Sequence, residues 1–118
     1  MIDQLLRFLP GFEEPNRKFI ERWETFYPVY AADVEEFFGL AMHGWWMDTD
    51  YQPNEAGRMV YDDDIVQTAT LDEIKTMMTY CVRIERFGDG NWGALLADGR
   101  IQALLRRLKI IRKELDAA

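Results

Sequence analysis

The chain has 118 residues, a formal net charge of −7 and a hydrophobic content of 48%. This length fits one domain, and so much apolar side chain argues against a disordered protein. The acidic balance opposes nonspecific binding to nucleic acid or anionic membranes, and no run of residues reaches the roughly 18 apolar positions of a membrane span.

The cysteine count and the N-terminal residues indicate the cellular compartment, and the charged residues are distributed unevenly along the chain. A single cysteine, Cys81, excludes an intrachain disulfide, and residues 1–7 lack the long apolar run of a secretory signal. We therefore expect a cytoplasmic domain spanning residues 1–118. Net charge is −4 over residues 1–43, −7 over 44–73 and +4 over 74–118. The acidic middle and the basic tail are expected either to attract each other within the fold or to face solvent.

Three helices are predicted in the first part of the chain, over residues 3–9, 16–26 and 29–42. Apolar side chains recur there at three- and four-residue spacing. Pro10 and Gly11 mark the first break and Pro28 the second. We expect the second and third helices to pack as antiparallel members of a small helical bundle.

The segment from Gly44 to Ala69 is the irregular middle of this mainly α-helical fold. Trp45–Met47 and Arg58–Tyr61 have the composition of strands, separated by acids, prolines and glycine. This pattern predicts either a short β-hairpin or an ordered loop. Its aromatic side chains are candidate binding residues: Trp45, Trp46 and Tyr51.

Acids in this middle segment could hold Mg²⁺ or Ca²⁺: Asp48, Asp50, Asp62, Asp63 and Asp64. An EF-hand starting at Asp48 is excluded, because Pro53 replaces the turn glycine and Met59 replaces the bidentate glutamate. One cysteine and one histidine cannot form a zinc site of several such ligands. Solvated loop acids are the simpler interpretation, so we expect no metal and no cofactor.

The second half of the chain has the clearest helix signals. Thr70 and Glu73 fit a capping box for a helix that runs to about Phe87. A short helix over residues 92–97 and a long one over 100–115 follow. Both long helices carry an apolar stripe, and we expect these stripes to shield each other.

Residues 83–93 form the corner that joins these helices. Its glycines permit a sharp turn, and Asn91 is a candidate N-cap beside the large apolar Trp92. Glu85 falls on the apolar side of its helix and needs a partner if buried. The amides that begin the next helix, or an arginine such as Arg107 or Arg112, could supply one. A structural clasp and a ligand-binding or catalytic carboxylate both remain open.

Nucleophilic catalysis has little support. The chain contains no serine, and a Cys81–His43 pair would draw its nucleophile from an apolar stripe. Nucleic-acid binding would rely on the outer face of the last helix, at Arg106, Lys109 and Lys113. The acidic charge of the domain argues against that interpretation.

The corner also resembles an uncharacterised bacterial family, a domain of unknown function. The resemblance is carried by Arg83, Glu85-Arg86-Phe87 and Asp89-Gly90 in the corner, and by Leu105-Arg106-Arg107-Leu108 in the last helix. It is clearest over residues 65–110 and weaker around 46–51. The resemblance implies a shared fold and no known activity.

Three functional hypotheses follow. The first is a noncatalytic binding or interaction module that recognises a protein, a peptide or a small polar ligand. Its surface would combine the Trp45–Tyr51 loop with the corner residues Arg83, Arg86, Asn91 and Trp92. The second is a small enzyme that uses Glu85 or Asp89 as acid or base, with Arg83 or Arg86 holding an anion. The third is the nucleic-acid binder.

Overall fold

A computed structural model describes residues 1–117. The elements are α1 Ile2–Leu6, α2 Leu9–Phe12, β1 Ile20–Glu24, β2 Tyr27–Tyr30, α3 Ala32–Ala41, α4 Pro53–Val60, α5 Asp63–Thr68, α6 Leu71–Arg83, a 3₁₀ turn Ile84–Phe87, α7 Asn91–Ala97 and α8 Arg100–Ala117. The predicted mainly α fold class is confirmed, and the small hairpin that was an alternative for the middle segment is found instead at residues 20–30.

Helix α8 lies at the centre of the fold and contacts α1, α2, α5, α6 and α7. Its buried face includes Leu104 and Leu108, and α6 contributes Met77, Met78 and Cys81, all fully buried. Each of these leucine and methionine side chains favours the folded state by roughly 1.5–3 kcal/mol on leaving water. The expectation that the two long helices shield each other is therefore confirmed.

The helix predicted over residues 16–26 is wrong, because β1 and β2 form an antiparallel hairpin there. Trp23 pairs with Pro28, and Glu24 pairs with Tyr27. Trp23 is 54% exposed and Phe26 83% exposed, so the aromatic residues do not form a buried helical face. Because β2 extends to Tyr30, the following helix α3 starts at Ala32 and not near residue 29.

The middle segment is helical where a hairpin was one of the two alternatives. Residues 45 and 46 lie in a turn, and residues 58–60 lie in α4. Pro53 occupies the first turn of α4, where its missing N–H costs no helical hydrogen bond. Asp62 then caps α5 by accepting from the Asp64 and Ile65 amides. A short helix therefore replaces the second candidate strand, and residues 45–52 form a loop, which was the other alternative.

Two further local signals had different outcomes. The capping box of α6 is confirmed: Glu73 N–H donates to Thr70 Oγ1 at 3.2 Å, and Thr70 N–H donates to Glu73 Oε1 at 3.0 Å. The prediction that Pro10 and Gly11 end the first helix is wrong. They lie inside α2, where Pro10 takes a first-turn position that tolerates proline.

Candidate ligand-binding site at the corner

The Glu85 carboxylate organises the corner. Its Oε1 accepts from Trp92 N–H at 2.9 Å and its Oε2 from Gly90 N–H at 3.1 Å. The Tyr30 hydroxyl lies 2.9 Å from both oxygens. The expected partner at the start of α7 is therefore confirmed, and the arginine alternative is wrong: Arg107 donates to the Ala69 carbonyl, and Arg112 pairs with acids near the two ends of the chain.

Sequence reasoning missed Tyr30, which lies 55 positions before Glu85. The hydroxyl sits at the end of β2, and Gly93 N–H approaches it at 3.4 Å as a donor. Burial, together with the hydrogen bond to Glu85, raises the pKa of Tyr30 well above its usual range. The Tyr30–Glu85 contact thus ties the hairpin to the corner.

Trp92 and Asn91 fix the shape of the turn. The Trp92 ring stacks on Phe38 with centroids 4.2 Å apart. Its indole N–H donates to the Cys81 and Val82 carbonyls, at 3.1 Å each, near the C-terminal end of α6. Asn91 is not the predicted N-cap: Gly90, with φ +92°, takes that position, and the Asn91 amide donates to the Ile84 carbonyl at 3.0 Å.

Arg83 and Arg86 lie beside this turn. The Arg83 guanidinium sits 4.9 Å from the centre of the Tyr51 ring and 3.9 Å from the Met47 sulfur, and Arg86 is exposed. Within residues 1–117 neither arginine forms an ion pair. Arginines that do pair with an acid are Arg7, Arg17, Arg22, Arg58, Arg100, Arg106 and Arg112.

Both arginines open onto a cavity of about 440 Å³, which we call the corner cleft. Its lining consists of Met42, Met47, Val82, Arg83, Glu85, Arg86 and Trp92. The cleft combines an apolar wall of methionine, valine and tryptophan with two cationic groups. The one carboxylate that lines it is already hydrogen-bonded to the corner.

The other candidate binding residues do not line this cleft. Trp46 is 1% exposed and belongs to the core. Trp45 is partly exposed, with the Lys75 ammonium 3.7 Å from its ring centre, and it lines a depression near the N-terminus. Tyr51 lines a different groove, and Asp89 is exposed outside the cleft. The structure therefore brings together Arg83, Glu85, Arg86 and Trp92.

Asp48 and Asp63 connect the middle segment to α6 and α8. Asp48 accepts from the Thr76 hydroxyl at 2.7 Å and from the Asp50 amide at 3.0 Å, and Asp63 pairs with Arg100 at 3.0 Å. Within residues 1–117 no group of three or more His, Cys, Asp or Glu side chains is placed to hold a metal ion.

Cys81 is fully buried, and burial raises the pKa of its thiol to about 12. A thiolate is therefore scarce near neutral pH, which weakens the case for a Cys81 nucleophile.

Basic residues of α8 pair with acids from other elements. Arg106 pairs with Glu13 at 2.9 Å, and Arg112 pairs with Asp3 at 3.2 Å. The expected attraction between the acidic middle and the basic tail is confirmed for one pair, Arg100 with Asp63 at 3.0 Å. None of the helices in residues 1–117 combines the length and apolar character that a membrane span requires.

Comparison with known proteins yields one family. A model described as a family of unknown function (DUF6508) matches residues 1–114, a range that includes the hairpin and the N-terminal helices. No curated protein and no solved structure gives a match.

Proposed function

The chain belongs to this family of unknown function, and from its geometry we propose that it is a noncatalytic binding module. The ligand is an anion with an apolar body, held at the corner cleft. A cytoplasmic location is part of the same proposal, in keeping with the free thiol of Cys81.

The unpaired state of Arg83 and Arg86 carries this proposal. The chain contains 21 acidic residues, and most of its arginines form an ion pair with one of them. Two neighbouring guanidinium groups without an acid, at the edge of one cleft, leave their donors available for a carboxylate or a similar anion. Met42, Met47 and Trp92 offer contacts for the apolar part of the same ligand.

The hydrogen bonds of Glu85 favour binding over catalysis. A general acid or base must exchange a proton with the substrate from within hydrogen-bond reach. Both oxygens of Glu85 already accept from a backbone amide, and the Tyr30 hydroxyl lies between them. Asp89, the other candidate acid or base, does not line the cleft. These contacts support a structural clasp beside a binding surface.

The size of the cleft restricts the ligand. A cavity of about 440 Å³ lies in the range typical of small-molecule sites. It can also accept one acidic side chain and its apolar neighbour from a partner peptide. The shared chemistry is a carboxylate beside an aromatic or aliphatic group.

Methyl NMR provides a direct test, since the cleft contains two methionines. Phenylacetate should shift the methyl signals of Met42 and Met47, whereas the buried Met77 and Met78 serve as internal controls. Phenylacetamide, which has the same shape without the charge, should bind far more weakly. An acetylated and amidated Phe-Glu dipeptide, compared with its Phe-Gln counterpart, separates a peptide source from a small organic acid.

Arg86→Gln is the matching variant, because Arg86 is exposed and makes no ion pair in residues 1–117. Loss of one charge-assisted contact should weaken phenylacetate binding about tenfold. Arg106→Gln, which removes an exposed arginine paired with Glu13, should leave binding unchanged. Equal binding of the acid and the amide, or an unaltered affinity in Arg86→Gln, would contradict the proposal.

A further inference from the structure

A separate pocket lies where the end of α2 and the residues just before β1 meet the turn between α7 and α8. Its volume is about 400 Å³, and it shares no lining residue with the corner cleft. Phe12, Phe19 and Leu96 form its apolar wall, and Glu14 and Gln102 are among its polar lining residues. We call it the glutamine pocket, because Gln102 is its one buried polar side chain.

Two backbone carbonyls fix the orientation of the Gln102 amide. Its Nε2 donates to the Phe12 carbonyl at 3.0 Å and to the Leu96 carbonyl at 2.9 Å. The opposite orientation would place the amide oxygen against these two acceptors, so the hydrogen-bond network excludes it. The oxygen of the amide must therefore find a donor elsewhere.

Residues 1–117 supply no such donor. Among their buried side-chain nitrogen and oxygen atoms, Gln102 Oε1 is the one without a hydrogen-bond partner, and the side chain is only 5% exposed. A buried acceptor without a donor destabilises the folded state, because it has given up its hydrogen bonds to bulk water. A group that enters the pocket and donates to this oxygen recovers that loss on binding.

The charges around the pocket select the kind of donor. Its two arginines are already neutralised. Arg17 donates twice to the Asp33 carboxylate. Arg106 pairs with Glu13 at 2.9 Å. Glu14 is exposed and forms no ion pair within residues 1–117, so one carboxylate is left over and favours a donor that carries positive charge.

We propose that the glutamine pocket binds a primary ammonium group on an aliphatic chain, from either a small amine or a lysine side chain. An ammonium has three N–H donors, so it can donate to Gln102 Oε1 and pair with Glu14. Its methylene groups pack on the apolar wall of Phe12, Phe19 and Leu96. The net charge of −7 on the whole chain also attracts a cation.

NMR of the intact chain tests the proposal with butylammonium as the probe. Butylammonium should shift the side-chain amide signals of Gln102 and saturate at millimolar concentration. Butyltrimethylammonium has the same charge and no N–H donor, so it should bind at least about tenfold more weakly. Equal binding of the two cations, or no shift at Gln102, would overturn the proposal.

The same titration separates the two sources of the ammonium group. The additional probe is lysine with an acetylated α-amino group and an amidated carboxyl group, which leaves the side chain as its one charge. Tighter binding of this probe than of butylammonium assigns the pocket to a lysine side chain. Equal or weaker binding assigns it to a small amine.

Glu14→Gln tests the charge contact without disturbing the core. This variant should weaken binding of butylammonium about fivefold, through loss of one charge-assisted contact. Glu35→Gln removes an exposed, unpaired acid of α3 outside the pocket and should leave binding unchanged, as should Arg86→Gln in the corner cleft. Wild-type affinity in Glu14→Gln would overturn the proposal.

Gln102→Met tests the acceptor, because it replaces the amide with an apolar side chain of similar size. Far-UV circular dichroism confirms the fold of the variant, and the backbone amide signal of Leu96 replaces the lost glutamine signals as the readout. Butylammonium and butyltrimethylammonium should then bind with equal affinity. A preference for butylammonium that survives in this variant would overturn the role of Gln102.

Discussion

The α6–α8 pair and the β-hairpin are attached to this domain in different ways. The two helices share a continuous apolar contact in which Met78 and Leu104 are fully buried. The hairpin leaves Trp23 and Phe26 exposed, and the hydroxyl of its last residue, Tyr30, hydrogen-bonds to the corner at Glu85. Buried area therefore holds the helices, whereas the hairpin combines a smaller apolar contact, made by Ile20 and Tyr30, with directional bonds from the Tyr30 hydroxyl.

The largest expected effect comes from a cavity in the helical pair. Leu104→Ala removes a fully buried side chain from α8 and should lower the free energy of unfolding by about 3 kcal/mol. Urea unfolding followed by far-UV circular dichroism measures the change. Leu115→Ala, on the same helix but 53% exposed, is the matched control and should cost less than about 0.5 kcal/mol. Similar losses in the two variants would contradict the described core.

The helical pair could be predicted from sequence because the relevant signals are local. In α6 the helical period and the buried positions coincide, so Ile74, Met77, Met78 and Cys81 all lie in the core as their spacing indicates. Thr70 caps the helix through a residue only three positions away. No distant part of the chain is needed to specify this element.

The hairpin could not be predicted in the same way. Trp23 and Phe26 imitate the apolar face of a helix, yet both are exposed, and a tight turn at Thr25, with φ +54°, reverses the chain. The Glu85 clasp was predicted in part. The amides at the start of α7 are close to Glu85 in sequence and were expected as partners, whereas Tyr30 is 55 positions away and was not. Arg83 and Arg86 form no ion pair because of where the tertiary fold places the acidic residues, and the spacing of residues in the sequence does not reveal that placement.

A smaller effect is expected at the bond that joins the two regions. Glu85→Gln removes the charge and turns an amide NH₂ toward backbone donors, so it should cost about 2 kcal/mol of unfolding free energy. Hydrogen exchange should show a greater loss of protection in β1 and β2 than in α8. Asp89→Asn, an exposed acid in the same corner, should change stability by less than about 0.5 kcal/mol. A Glu85→Gln protein as stable as that control would exclude the clasp.

The smallest effect concerns the Tyr30 hydroxyl and depends on pH. Tyr30→Phe removes one hydrogen bond to a carboxylate and should cost about 1 kcal/mol at neutral pH. Because burial and the Glu85 hydrogen bond raise the pKa of Tyr30, its stabilising contribution is fully present below the unfolded pKa, near 10. It is lost as the pH rises from there toward the folded pKa, since the unfolded state releases the proton first.

Unfolding free energies of wild type and Tyr30→Phe, measured from pH 7 to pH 11, test this sign. The advantage of the wild type should shrink above about pH 10, because the unfolded chain releases the Tyr30 proton there while the folded protein retains it beside the Glu85 carboxylate. Burial also raises the pKa values of Cys81 and Tyr80, but these groups titrate in both proteins and cancel in the difference. A constant difference over this range would mean that the Tyr30 hydroxyl is solvated, and the hairpin would then be held by packing, as the helices are.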